Sequence, residues 1–198
     1  MSGYTPDELV EMLTPYFVPR GAMGNGWELI EALELSLGAG TFSFTNISAI
    51  YNHLWLVGSL RADRGSEWDT TRMRFNADAA GTSYGWKYID WTNLTTAAGA
   101  VDISDDEMTI WWVNGNTSDA DAFSAVEAYI PNYADTNRHK MVHGRSAASG
   151  DYSAVTDFFV SEGMGVWYSK AAINRIDVSA ANGDDFLQYS NLYLYGVT

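Results

Sequence analysis

Apolar residues recur at every second position along most of the chain from Trp27 onward, which is the spacing of a β-strand with one buried face. In the first such stretch Leu29, Leu33, Leu35 and Leu37 all occupy odd positions, and a Gly-rich turn then leads into a second strand. Further strands are predicted over residues 53–62, 71–78, 83–91, 107–113, 122–132, 139–147, 154–167, 173–181 and 191–198.

This series of short strands predicts an all-β fold. About ten strands separated by turn residues, without long amphipathic crossover helices, indicate antiparallel sheets, because parallel strands need such crossovers. We therefore expect residues 27–198 to form one antiparallel β-sandwich domain that is jelly-roll-like. The last strand ends at Thr198 and is expected to close a sheet.

The segment 1–26 follows a different pattern. Thr5–Glu8 reads as a capping box with proline at the first helical position, and Leu9, Met12 and Leu13 then recur at helical spacing. A second proline limits the helix to about two turns, which is marginal without a surface to dock on. Residues 1–26 are therefore predicted to be an N-terminal arm with a short capped helix and a linker.

Composition narrows the classes of function. The chain has no cysteine, which excludes a disulfide framework, a thiolate metal site and a cysteine nucleophile. Its 25 acidic and 11 basic residues give a net charge of -14, which argues against a nucleic acid partner, because phosphate neutralisation supplies most of such affinity. No stretch approaches the roughly 18 apolar residues of a membrane helix, and the N-terminus lacks signal-peptide features. We expect a soluble protein with no membrane partner.

The stretch RMRFNADAAGTSYGW comes closest to a metal-binding motif. Asn76, Asp78 and Gly81 stand at the first, third and turn-glycine positions of a calcium loop. However, Ala80 and Lys87 occupy the fifth and twelfth positions, where such a loop needs oxygen ligands. We interpret the stretch as a hairpin turn in which Asn, Asp and Gly adopt positive φ.

Calcium is the one cofactor left open. The acidic charge is compatible with a different calcium site built from Asp63, Asp69 or Asp78, and no other cofactor is predicted. Zinc is not expected: His139 and His143 would lie about 13 Å apart on one face of a strand, too far to share an ion.

The sequence gives little support for catalysis. No cysteine is present, and no serine has surroundings that suggest activation as a nucleophile. A polysaccharide hydrolase would need two facing carboxylates, for which Asp102, Asp105, Asp106 and Glu107 are candidates. The simpler interpretation is a solvated acidic loop between strands. The protein is predicted not to be an enzyme, and polysaccharide hydrolysis is the third-ranked hypothesis.

Tryptophans are the other residues in the sequence that indicate a possible binding surface. Because side chains alternate across a strand, one of Trp111 and Trp112 should point inward and the other outward. An outward tryptophan needs cover from another subunit or from a ligand such as a sugar ring. We therefore treat Trp68, Trp111 and Trp112 as candidate surface contacts, with a subunit interface favoured over a glycan.

Five segments in series resemble a family of small structural proteins of tailed bacteriophages. They are FTNISAIYNHLWLVGSLRAD, MRFNADAAGTSYGW, YIPNYADTNRHKMVHG, GVWYSKAAINRIDV and FLQYSNLYLYGVT, and they keep their order between residues 27 and 198. The resemblance implies a β-sandwich on the outside of the particle, as a capsid decoration protein, a head fibre or a small tail component. It supplies no catalytic residues.

The resemblance also implies partners and a location. We expect the chain to be part of the virion and to bind major capsid or tail proteins of the same phage. We also expect a homo-oligomer, with a trimer as the first choice, because symmetric oligomers match symmetric particles. The arm lies outside the resemblance and is the expected docking element. Its predicted docking residues are Thr5, Pro6, Leu9, Met12, Leu13 and Tyr16. The alternative function is a tail or fibre module that binds a host surface glycan.

Overall fold

The computed structural model describes residues 26–92, 96–150, 158–182 and 185–198, with side chains left out for residues 92 and 96–98. This part of the chain forms twelve strands and no helix. The strands are β1 Trp27–Glu34, β2 Thr41–Thr45, β3 His53–Leu60, β4 Trp68–Phe75, β5 Tyr84–Thr92, β6 Thr96–Asp105, β7 Met108–Asn114, β8 Ser124–Pro131, β9 Lys140–Ser149, β10 Phe158–Trp167, β11 Arg175–Ala180 and β12 Asn191–Val197.

The strands form two sheets in which every pair of neighbours is antiparallel. The larger sheet has eight strands in the order β1-β12-β3-β8-β9-β10-β5-β6, and the smaller has four in the order β2-β11-β4-β7. Strand β7 packs against β8, β9, β10 and β5 of the larger sheet. This arrangement confirms the prediction of an all-β, antiparallel fold and is consistent with a β-sandwich. The predicted helix falls in residues 1–25, outside the described residues.

The core lies between the two sheets and follows from the alternation in the sequence. Phe42 and Phe44 of β2 lie on the inner face of the smaller sheet, and Leu54 and Leu56 of β3 lie on that of the larger sheet. All four side chains are at most 1% exposed. Burying each contributes about 1.5–3 kcal/mol relative to exposure, so the two faces hold the sheets together.

Strand β7 approaches the larger sheet closely because glycines line its path. A Cβ atom added at Gly163 of β10 would lie 2.5 Å from the carbonyl oxygen of Ile110. At Gly144 of β9 it would lie 2.4 Å from the Ile110 side chain, and at Gly165 it would lie 2.4 Å from the sulfur of Met108. The backbone and side chains of β7 therefore occupy the space that side chains would fill elsewhere.

One segment predicted as a loop is a strand. Residues 102–105 belong to the predicted acidic loop, but they form the end of β6, and only Asp106 and Glu107 make the turn to β7. The sequence of β6 begins TAAGAV and has too few large apolar residues to show alternation. Strand β6 lies at the edge of the larger sheet, where one side of a strand has no neighbour to pack against.

The stretch that resembles a calcium loop turns a corner between the sheets. Strand β4 before it belongs to the smaller sheet and β5 after it to the larger, so the predicted hairpin is wrong. Asn76 and Ala77 adopt positive φ angles of 52° and 55°, whereas Asp78 and Gly81 do not. The prediction of a turn and of the conformation of Asn76 is therefore confirmed, and that for Asp78 and Gly81 is wrong.

Replacing Gly163 by alanine tests the close contact with β7. The added methyl group would meet a backbone oxygen that cannot rotate away, so the sheets would have to separate. We expect Gly163→Ala to lower the free energy of unfolding by about 1–3 kcal/mol, the range for overpacked cores, as measured by urea denaturation.

Gly65→Ala is the matched control. A methyl group added at Gly65 would have no other atom within 4 Å, and the residue has no positive φ, so its replacement should change stability by less than about 1 kcal/mol. Equal stability of the two variants would show that β7 does not depend on the glycine at position 163.

Candidate functional site

The arm predicted to dock the protein lies outside the described residues, so its docking role remains a prediction. This holds for all six of its predicted contact residues, which are Thr5, Pro6, Leu9, Met12, Leu13 and Tyr16. The described chain starts at Gly26, beside the edge strand β1.

The two adjacent tryptophans of β7 have different environments, as strand alternation predicts. Trp111 is fully buried, and its indole N–H donates a hydrogen bond to the carbonyl oxygen of Glu127, 2.7 Å away. Its predicted role as a surface contact is therefore wrong, because a 0% exposed ring cannot reach a ligand. Trp112 is only partly buried, and its backbone N–H donates to the hydroxyl of Ser146.

Trp112 belongs to a continuous series of five rings, here called the aromatic row. The row runs Trp68, Phe159, Trp112, Tyr88 and Trp86, and successive ring centroids are 5.5, 5.1, 5.8 and 5.8 Å apart. Strands β4 and β7 of the smaller sheet contribute the tryptophans at its first and third positions, and β10 and β5 of the larger sheet contribute the rest. The row thus follows the line where the β7 edge crosses the larger sheet.

A cluster of charges lies at the Trp86 end of the aromatic row. The Trp86 indole N–H donates to Asp105 at 3.0 Å, and Arg72 lies 3.6 Å from both Asp105 and Glu107. Arg74 pairs with Glu107 at 3.1 Å and with Asp106 at 3.2 Å. Three of the four carboxylates that are catalytic candidates in the sequence are therefore held by two arginines.

The two carboxylates around Arg72 have pKa values shifted in opposite directions. Burial raises the pKa of Glu107 above its usual value, although Arg72 and Arg74 oppose this. Burial would also raise the pKa of Asp105, but hydrogen bonds from the Trp86 indole and the Asp106 backbone and the charge of Arg72 lower it overall. Such a difference is one property of an acid–base pair, but both groups already share an arginine partner.

Two of the three candidate calcium ligands are used in structural contacts. Asp78 accepts hydrogen bonds from the Trp167 indole at 2.8 Å and from the Ala80 backbone at 3.1 Å. Asp69 is fully buried and pairs with Arg64 at 3.3 Å. Across the described ranges, no three acidic or histidine side chains come together as a metal-binding group, and Asp63 joins no such group.

The histidine pair is likewise split. His143 lies in β9, where its Nε2 atom is 2.6 Å from a carboxylate oxygen of Glu162 on β10. His139 precedes β9, and its ring packs at nearly a right angle against Tyr168 with centroids 5.9 Å apart. The two rings therefore have separate partners.

Backbone carbonyl cages in two loops already hold cations from the protein itself. The ammonium of Lys140, which is fully buried, donates to the carbonyls of Asp135, Arg138 and Lys170 within 3.2 Å. The guanidinium of Arg61 donates to a second loop in the same way. Its acceptors are the carbonyl oxygens of Asn116, Ser118, Asp119 and Ala120. These cages therefore stabilise loops rather than bind metal ions.

The face of the larger sheet that points away from the smaller one carries large exposed apolar side chains. We call the following seven residues the outer patch. They are Ile89, Trp91, Val101, Met141, Phe158, Val160 and Met164, between 40% and 63% exposed. The register places Val160 opposite Trp91, and Met164 opposite Lys87, which in turn faces Val101. The patch is therefore contiguous across β9, β10, β5 and β6.

Two shallow depressions open on this face beside the outer patch. One, of about 180 Å³, is lined by Val101, Met141 and Met164 among others. The second, of about 480 Å³, has Ala125 and Ala147 in its lining, where small residues face each other on neighbouring strands. Both depressions are predominantly apolar, which suits side chains of a protein partner better than a polar small molecule.

The charges balance on the part of this face that carries the outer patch. The outward residues of β8, β9, β10 and β5 include two carboxylates and two cations besides the His143 ring. Glu127 lies 3.4 Å from Arg145, Glu162 contacts His143, and Lys87 projects between patch residues. These four strands therefore carry no excess of negative charge on this face, although the whole chain is strongly acidic.

The sequence identified two members of the aromatic row as candidates, whereas the outer patch was missed. Phe159, Tyr88 and Trp86 come from distant segments, and no local spacing connects them to Trp112. A signal for the patch was present in β10, FFVSEGMGVW, where apolar residues occupy both odd and even positions. Such a strand has apolar residues on both faces.

Comparison with known proteins gives no family assignment. No family model matches the sequence, and no curated protein matches it. Among solved structures, the glucanase SCLam, a non-specific endo-beta-1,3(4)-glucanase from family GH16, has 9% identity and a TM-score of 0.24, with 94% of this chain and 99% of that chain covered. The Eqolisin-family peptidase SCP-B, bound to a tripeptide, has 8% identity and a TM-score of 0.15, with 82% of this chain covered.

A legume lectin-like domain from Entamoeba histolytica has 8% identity and a TM-score of 0.15, with 87% of this chain and 91% of that chain covered. The chain spans 64% of the length of the SCP-B peptidase. None of these proteins is a phage protein, and likenesses this weak support no inference about fold or activity. Among the described residues, no helix has the length and hydropathy to cross a membrane.

The corner at Asp78 predicts a pH dependence of stability. Burial would raise the pKa of Asp78, but hydrogen bonds from Trp167 and Ala80 lower it overall below the usual 3.8. The folded state therefore gains stability above pH 3.8 and loses it as the pH falls through the folded pKa. Asp78→Asn should lower the free energy of unfolding by about 1–2 kcal/mol at pH 7, and the difference from the native chain should shrink below pH 3.8, measured by urea denaturation across pH.

Asp63→Asn removes one charge at an exposed position and serves as the control. A constant difference between Asp78→Asn and the native chain from neutral pH to well below the usual aspartate pKa would contradict the role of the ionised carboxylate.

Proposed function

We propose that this protein is a non-enzymatic structural subunit of a larger particle. The observation that carries the proposal is the outer patch, whose seven large apolar side chains lie on a sheet face that no described strand covers. Soluble monomers rarely expose contiguous apolar patches beyond a few hundred Å² unless a partner binds there. On the same face Glu127 pairs with Arg145 and Glu162 contacts His143, so burial against a protein neighbour would not leave these carboxylates without a partner.

The kind of particle is proposed from the sequence. The five segments that resemble structural proteins of tailed phages support a place on the surface of a virion, as a capsid decoration or head-fibre protein with a jelly-roll-like sandwich. Major capsid or tail proteins of the same phage would then be its partners. The absence of cysteine suits assembly in the host bacterial cytoplasm, because the fold needs no oxidising compartment.

The arm is proposed to attach the subunit to the particle. The helix predicted within residues 1–26 would carry an apolar stripe that includes Leu9, Met12 and Leu13, and residue 26 directly precedes the edge strand β1. A short helix that is marginal alone becomes ordered when it docks, and many copies on a symmetric particle add avidity.

Incorporation into particles tests both surfaces. Deleting residues 1–26, or replacing Ile89 and Met164 by lysine together, should each reduce the copy number per particle by about tenfold or more, which corresponds to about 1.4 kcal/mol of binding. The apolar stripe is lost in the first variant, and two charges must be desolvated in the second. Copy number is measured by quantitative mass spectrometry of gradient-purified particles of the phage that encodes the chain.

Ile50→Lys is the control for the patch variant, because Ile50 is 71% exposed and lies in the turn before β3, outside the outer patch. Circular dichroism of each purified variant checks that the fold is retained. Normal copy number in both test variants, or absence of the native chain from the particles, would refute the proposal.

A second candidate function is favoured by the aromatic row. Trp68 and Trp112 lie in a line of rings bordered by charged groups, and aromatic faces stack on sugar rings while charged and polar groups orient them. The protein would then be a tail or fibre module that recognises a host surface glycan. Binding to glycans through this row is compatible with the sequence resemblance but needs no contact at the outer patch.

A glycan array separates the two functions. If the row binds sugars, the native chain should give reproducible signals, and Trp112→Phe, which keeps an aromatic ring but removes part of its surface, should lower them about tenfold, within the range found for aromatic side chains that stack on ligand rings. Arrays in calcium and in chelator show whether an ion assists. Signals that are absent in both conditions would eliminate the glycan-binding candidate.

A further inference from the structure

The two sheets have four edge strands, and the structure protects three of them from pairing with another chain. Unpaired backbone N–H and C=O groups at a sheet edge are a template for a further strand, so folded proteins usually block them. The edges are β1 and β6 in the larger sheet and β2 and β7 in the smaller. Each edge is protected to a different degree, and one of them is open.

Strand β1 is protected by charge and by a bulge. It carries Glu28, Glu31 and Glu34, and its register with β12 shifts between Leu29 and Glu31. An incoming strand would have to desolvate these carboxylates and follow an irregular backbone.

The two edges of the smaller sheet are blocked differently. Strand β2 has only five residues. In β7 the backbone N–H groups of Trp112 and Asn114 donate to the hydroxyls of Ser146 and Ser124, at 3.2 and 2.7 Å. These donors are satisfied within the chain and offer nothing to a partner strand.

Strand β6 has none of these protections over its first six residues. It is ten residues long, and the segment Thr96–Val101 contains no charged residue and no proline. Its register with β5 is regular from Thr92↔Thr96 to Trp86↔Asp102, and the shift occurs only beyond that point. One backbone edge of this segment is paired with β5, and no described strand pairs with the other.

We propose that β6 pairs with β6 of a second copy across a two-fold axis, so that two larger sheets join into one. The free edge of β6 can pair with an uncharged extended strand, and β6 is itself an uncharged extended strand. It is therefore complementary to a second copy of itself, as a two-fold contact requires. The pairing would involve residues 96–101 of both copies and span about 20 Å at roughly 3.4 Å per residue.

Charge favours the antiparallel orientation of the two copies. Each chain carries a net charge of -14, so two copies repel each other except where a contact is free of charge. In an antiparallel pair the acidic ends that start at Asp102 lie at opposite ends of the contact, about 20 Å apart, beyond the Debye length of about 8 Å. A parallel pair would place the same carboxylates side by side.

The outer patch is continuous with this edge. Val101 and Ile103 of β6 are 63% and 75% exposed, and Val101 faces Lys87 beside Met164. In the joined sheet the patches of the two copies would lie on the same side and form one larger apolar surface. This contact joins two copies and does not by itself form the trimer expected from the sequence.

The test is the mass of the full-length chain in solution. Light scattering coupled to size-exclusion chromatography, over a concentration series, should give twice the 21.8 kDa of one chain. Val101→Glu should raise the dimer dissociation constant about tenfold or more, because a charged side chain on an edge strand opposes pairing with another strand. Hydrogen exchange of peptides covering residues 96–105 should be slower in the native dimer than in the variant.

Two variants serve as controls. Val101→Thr keeps a β-branched, uncharged side chain and should remain dimeric, and Ile50→Glu adds the same charge at an exposed apolar residue away from β6 and should also remain dimeric. A monomeric native chain, a dimer that Val101→Glu leaves intact, or unchanged exchange in residues 96–105 would each overturn the proposal. These outcomes do not depend on particle incorporation, so the dimer and the virion function are tested separately.

Discussion

The structure depends on the close contact between β7 and the glycines of the larger sheet. Gly144 and Gly163 face each other in the pairing of β9 with β10, and Ile110 of β7 occupies the space above them. Because β7 packs closely on these glycines, Trp111 is enclosed, while Trp112 lies along the β7 edge against Phe159. The outward residues of β10 have no such neighbour among the described strands, so its large side chains remain exposed on the opposite face.

Much of the fold could be predicted from the sequence because most strands have one buried face. Alternation indicated the strands that begin near His53 and Asn191, and the structure confirms them. It could not show which strands pair. Strands β4 and β5 follow each other in the chain, yet they belong to different sheets, and most of their partners come from distant segments. Strand β6 was not predicted because it lies at a sheet edge and begins with small residues, which show no alternation of apolar and polar side chains.

The candidate site was predictable only in part, for a related reason. The tryptophan pair of β7 could be assigned to opposite environments, since alternation is a local property. The aromatic row and the outer patch arise from register between strands, which brings Trp91 of β5 opposite Val160 of β10 although four strands lie between them in the chain. Such contacts follow from topology, and a single sequence does not specify topology.

The two proposals together place the attachment points of the arms at the ends of a dimer. Strands β1 and β6 are opposite edges of the larger sheet, so pairing through β6 leaves both β1 edges, where residues 1–25 join the fold, at the far ends. With strands about 4.8 Å apart, the joined sheet would be roughly 70 Å wide. Each dimer would then bind its particle through two separated arms, and the second would bind at the high effective concentration that the first creates.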